Sequence, residues 1–235
     1  MTTRKKRERH NFKEMTIKQK ISHLWEYYKL HGFIIILIVS FIIYGIYSAS
    51  KPKINTSLYV AVVNNNLNEP VLDQITEETE AYLQLDTSKE KVFLNSIFYF
   101  NSDIAYSTNA RRALITYVAA SEVDIIIAPE SEFANYAYND FFHNLTNQLP
   151  TDLYTALAND FFISDTDYEE EKLPYGIYLH NAQYYNENYQ FVRESRPMDQ
   201  TEEEVIDEPY VLGIVGNSSN LNNSLDFIRY IFDQD

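Results

Sequence analysis

The sequence predicts an α/β domain behind a single membrane-spanning helix, and three features carry that prediction. An uncharged apolar run, Phe33 to Ala49, is long enough to cross a bilayer once a few flanking residues are added. Beyond it, segments of strand composition alternate with segments of helical periodicity. One of them, Asp124-Ile-Ile-Ile-Ala-Pro129, is a short continuous apolar stretch of the kind buried on both faces of a sheet. The 235 residues divide into a basic cytoplasmic tail with a juxtamembrane amphipathic helix over 1–31, a transmembrane helix over 32–50 and a compact extracytoplasmic α/β domain over 51–235.

Arg4, Lys5, Lys6, Arg7 and Arg9 precede the apolar run, so the positive-inside rule puts the N-terminus in the cytoplasm and the C-terminal domain outside the plasma membrane. Trp25, Tyr27 and Tyr28 lie before the span and Tyr44 and Tyr47 near its far end, where amphipathic rings favour the headgroup region. In the tail, Ile17, Ile21, Leu24, Trp25 and Tyr28 recur at helical spacing, with Lys18, Lys20 and Lys29 around the turn and Thr16 as N-cap. That pattern predicts a basic amphipathic helix that runs into the span and lies along the anionic inner leaflet, or docks on a membrane partner. Ser48-Ala49-Ser50 also offers small residues suited to signal cleavage. The leader of more than thirty residues favours an uncleaved anchor.

In the domain, Ile54 to Val63 reads as a strand ending in Asn64-Asn65-Asn66, and Val71 to Leu85 as a helix with Leu72, Ile75, Thr79, Tyr82 and Leu83 inward. Lys91 to Phe100 is a second strand. A helix follows with Ala110, Ala113, Leu114, Tyr117 and Val118 on one face, and then the Asp124–Pro129 strand. Ser131 is expected to cap a short helix carrying Phe133, Tyr136 and Ala137. Another helix starts near Thr151 or Asp152 with Leu153, Tyr154 and Leu157. Phe161 to Ser164 and Tyr175 to His180 read as strands around the acidic loop Asp165 to Lys172. A second acidic stretch, Asp199 to Glu208, leads to the strand Tyr210 to Val215. Leu221, Leu225, Ile228 and Phe232 define a last helix.

Charge and composition exclude several functions. Up to Ala49, nine Lys or Arg stand against three acids, giving +6; beyond it ten stand against 31, giving −21. A domain that acidic repels nucleic acid, so the expected partners are the bilayer for the tail and neutral, cationic or protein partners for the domain. With no cysteine there is no disulfide, thiolate metal site or cysteine nucleophile. Five glycines leave no phosphate-binding loop or dinucleotide fingerprint, and no hydrolase or metalloprotease motif occurs. His143 and His180, 37 residues apart, read as packing or surface residues. Asp165, Asp167, Glu169, Glu170 and Glu171 lack the glycine and closing glutamate of a calcium loop. No pair among the acids stands out for glycoside chemistry, so the domain is read as non-enzymatic and without cofactor or metal.

The helix with Ala113 and Leu114, the turn Ala119-Ala120-Ser121-Glu122-Val123-Asp124 and the strand Ile125–Pro129 together resemble the type II periplasmic-binding-protein fold of bacterial extracytoplasmic solute-binding proteins. Phe133, Ala134 and Ala137, then Phe142, Asn144-Leu145 and Leu149-Pro150, are similar to the segments that follow in that family. So are the closing Leu212-Gly-Ile, Asn217-Ser and Phe227-Ile228. The resemblance spans about 54 to 232, and the short domain and missing lipid-anchor cysteine imply an abridged, membrane-tethered relative. It implies recognition of a small polar solute, a peptide or an envelope component. A relative that has lost solute binding would instead serve as an accessory subunit of a membrane complex such as a transporter. Open α/β sheets place ligands beyond the carboxyl ends of their strands, which points to Asn64 and Asn65, Asn101 and Ser102, Glu130 and Ser131, and Asn217 and Ser218. The same residue types also serve ordinary turns and caps.

Overall fold

A computed structural model describes residues 16–50, 54–64, 69–100, 103–168, 171–182 and 208–233. The chain divides into two compact units, Met1–Lys53 and Ile54–Asp235.

In the first unit, α1 (Ile17–Ser50) is one helix of 34 residues, about 51 Å long at the standard rise. Its stretch Lys29–Ser48, with mean hydropathy 2.3, is long and apolar enough to cross a membrane. The tail pattern does form a helix that runs into the apolar stretch, as its spacing predicts. It does so without a break, and an unbroken helix keeps close to one direction. Trp25, Tyr44 and Tyr47 are exposed on α1. The side chains of Tyr27 and Tyr28, and all of Arg4 to Arg9, lie outside the described residues.

The second unit contains β1 (Asn55–Val63), α2 (Glu69–Tyr82), β2 (Glu90–Phe98), α3 (Ile104–Ala119), β3 (Ile125–Pro129) and α4 (Glu130–Tyr138). After these come α5 (Leu145–Gln148), α6 (Thr151–Leu157), β4 (Phe161–Ser164), β5 (Leu173–Tyr178), β6 (Tyr210–Ile214) and α7 (Leu221–Ile231). The strands form one six-stranded sheet in the order β2-β1-β3-β6-β5-β4. β1 runs parallel to β2 and β3, whereas β6 is antiparallel to both of its neighbours, β3 and β5. β4 and β5, both expected as strands, pair antiparallel with each other.

Alternation along the central strands builds two cores. Leu58, Val60 and Val62 of β1, with Ile125 and Ile127 of β3, face α2, α5, α6 and α7. Tyr59, Ala61 and Val63, with Ile126 and Ala128, face α3 and α4. The middle layer is thus covered on both sides, which is why β3 can be continuously apolar. Each aliphatic side chain fully buried there contributes roughly 1.5–3 kcal/mol. The inward faces expected of α3, α4 and α6 match those observed. α7 adds Phe227 and Ile231 to its expected apolar stripe.

Two features fall where local sequence gives no hint of them. Gly176 of β5 and Gly213 of β6 lie beneath Phe133 of α4, and a Cβ on either would stand 2.6 or 2.7 Å from its ring. Phe133 in turn stacks on Phe142, with ring centres 4.2 Å apart. Ser131 does not cap α4. The helix begins one residue earlier, at Glu130, with Pro129 at its N-cap and no side-chain cap. The exposed Ser131 N–H instead donates to the carboxylate of Glu208, 77 positions further on, at 3.0 Å.

Candidate functional site

The carboxyl ends of the parallel strands form the first rim to inspect. Chains leaving β1 and β3 go to helices on opposite faces, which opens a crevice between Asn64 and Glu130 in sheets of this kind. Here the crevice is crossed by the protein's own chain. The Tyr210 hydroxyl donates to the Asn64 carbonyl at 2.9 Å, and the Glu130 N–H donates to the Pro209 carbonyl at 2.9 Å. The Asn64 side chain is also committed. It accepts the Phe100 N–H at 2.6 Å, and its backbone is left-handed at φ 55°. Glu130 accepts the Tyr178 hydroxyl at 3.0 Å, and burial together with that carboxylate pushes the phenol up to about 12. Asn65, Asn101 and Ser102 lie outside the described residues.

Beside this rim Arg111 of α3 grips Glu132 of α4 with both guanidinium arms, one at 2.6 Å, and lies over the Phe100 ring at 4.2 Å. The carboxylate holds the guanidinium charged, while burial pushes the neighbouring Tyr136 phenol up to about 12. Sequence reasoning missed this pair, because no local spacing joins residues 21 positions apart on different helices.

Asn217 and Ser218 do not join the rim. Because β6 is antiparallel, its carboxyl end pairs with the start of β3, through Ile214 and Ile125, and so lies at the opposite edge of the sheet. This corrects their expected grouping with Asn64 and Glu130, which assumed that all the strands run one way. At the opposite edge Ser218 serves a buried carboxylate. Asp124, fully buried, accepts the Tyr59 N–H at 2.8 Å, the Ser218 hydroxyl at 2.6 Å and the Asn220 amide at 3.1 Å. Asn217 donates its amide to the Val118 carbonyl at 2.7 Å.

Next to Asn217 opens a cleft of about 570 Å³, walled by the loop after α4, by α5 and by the turn after β6. Its polar lining is Asn139, Asp140, His143, Asn144, Asn147, Gln148 and Asn217, and Phe141 and Tyr175 contribute rings. Two long-range backbone bonds hold the walls together, from His143 N–H to the Ile214 carbonyl at 2.9 Å and from Gly216 N–H to the Phe141 carbonyl at 2.8 Å. Burial pulls His143 below the usual histidine range, which favours a neutral ring with one donor and one acceptor. Of the described residues expected at a ligand site, Asn217 alone lines this cleft. The signal that would have found it is local: Asn139-Asp140-Phe141-Phe142-His143-Asn144 and Asn147-Gln148 concentrate carboxamides around aromatic residues.

Among the described residues no group of three or more metal-binding side chains converges. No family model, curated protein or solved structure matches the chain.

Proposed function

We propose that the chain is a single-pass membrane protein whose C-terminal domain, held outside the cytoplasm, recognises a small uncharged polar ligand and performs no chemistry on it. One observation carries the reading: the 570 Å³ cleft lies within the roughly 300–1,000 Å³ of small-molecule sites, and five of its seven polar lining side chains are carboxamides. Among the described residues no Lys or Arg lines it to neutralise an anion. The apolar length of α1 supports the membrane anchor, and the basic tail before it supports the orientation. The test is thermal unfolding of the detergent-solubilised full chain against sugars, amino acids and short peptides. A ligand for the folded state raises the melting temperature by mass action. If every compound leaves it unchanged, the reading fails.

A second reading, an accessory subunit of a membrane complex such as a transporter, has its own support. The crevice where a solute-binding relative of this topology would hold ligand is filled by Glu208 to Tyr210. The described residues form one sheet, with β6 returning beside β3, in keeping with an abridged binding-protein relative. Affinity purification in mild detergent separates the readings, because recovery of the chain alone as a monomer removes the second.

A further inference from the structure

We propose that the cleft beside Asn217 takes a neutral saccharide, its hydroxyls held by Asn139, Asn144, Asn147, Gln148 and Asn217 and one sugar face laid against Phe141. The proposal rests on the recognition reading above and names its ligand class.

The hydrogen-bonding inventory selects the ligand. Asn139 donates its amide to the Asn135 carbonyl at 2.6 Å, and Asn217 donates to the Val118 carbonyl at 2.7 Å. A carbonyl can only accept, so these bonds fix the amide ends and leave Oδ1 of Asn139 and Oδ1 of Asn217 as acceptors. Asn144 has the reverse orientation. Its Oδ1 accepts the Thr146 N–H at 2.9 Å, which leaves Nδ2 as a donor. Asn147 and Gln148, on the last turn of α5, add two carboxamides that each offer both functions.

A wall of mixed donors and acceptors suits groups that are themselves both, and the hydroxyl is that group. An ammonium would leave the donors unmatched, and a carboxylate would leave the acceptors unmatched with no cation to balance it. The single carboxylate, Asp140, accepts from hydroxyls equally well. A peptide is disfavoured by the backbone. The walls' N–H groups at His143, Val215 and Gly216 are already bonded within the chain, so these three offer a peptide strand no donor. Phe141 is half-buried, with its ring 5.1 Å from that of Tyr136, and supplies the apolar surface that the CH face of a sugar ring requires.

The experiment is saturation-transfer NMR on the full chain in nanodiscs. The probes are maltose, cellobiose and chitobiose, with dialanine and N-acetylalaninamide as non-saccharide probes. Asn147→Ala combined with Gln148→Ala removes two lining carboxamides, one exposed and one half-buried, and Gln74→Ala on α2 is the control. The expected result is transfer to at least one disaccharide, weakened about tenfold or more in the double variant and unchanged in Q74A. Disaccharide transfer that persists in the double variant overturns the assignment to this cleft. Transfer to the peptide or amide probes alone overturns the saccharide class and leaves the recognition reading standing. Transfer to no probe removes both.

Discussion

Asp124 joins three segments of the second unit, because its carboxylate takes donors from β1, from the turn after β6 and from the start of α7. Asp124→Ala would strand the buried Tyr59 N–H and two side-chain donors. We expect a loss of about 3 kcal/mol, read by urea unfolding, with Asp124→Asn losing less. His143 gives a stability effect that depends on pH. Burial lowers its folded pKa beneath the unfolded value of about 6.5, so its contribution is complete above that value and is lost as pH falls through the folded one. Between pH 7 and pH 5 the wild-type melting temperature should therefore fall further than that of His143→Gln, measured in parallel. At this scale the sequence was informative about residue type and poor about company. Asp124 stood out at the head of an apolar strand, but Ser218 and Asn220, 94 and 96 positions away, could not be assigned to it. Asn217 was singled out for a ligand, yet its neighbours in the cleft come from α5 and the loop after α4.

At the scale of elements, composition and period located the strands and every described helix except the single turn α5 to within a few residues, because each is decided by its own burial pattern. Direction was not legible. β6 has the same apolar look as β3, and whether it runs with β3 or against it is a matter of long-range pairing, which no local period encodes. The seat of α4 on the sheet was also hidden, although Phe133 was correctly placed on its buried side. The flat contact needs Gly176 and Gly213 on adjacent strands, and their adjacency is a fact of register. Gly213→Ala forces a methyl to 2.7 Å from the Phe133 ring, so we expect destabilisation of about 1–3 kcal/mol by thermal or urea unfolding. Gly213→Ala combined with Phe133→Leu should recover part of that loss.

For the molecule as a whole, the charge asymmetry and the apolar run were the most legible features, since both depend on sums over many residues and on no particular contact. The expected topology is direct to check. Protease added to intact cells should remove the domain from 54 onward while an N-terminal epitope stays protected. Replacing Arg4, Lys5, Lys6, Arg7 and Arg9 by serine should shift a measurable fraction of chains to the inverted orientation. A domain that stays intact under those conditions, yet is digested once the membrane is opened, would overturn the orientation.

The position of β6, last of the six strands in chain order but seated between β3 and β5, bears on biogenesis. During vectorial synthesis, everything up to β5 emerges before the strand that joins the two halves of the sheet. Until then β3 and β5 present bare backbone edges, the kind of surface that invites aggregation. Closure also waits on a long-range pairing, which is intrinsically slow. A nascent chain stalled before Tyr210 would thus be a natural client for chaperones and quality-control proteases.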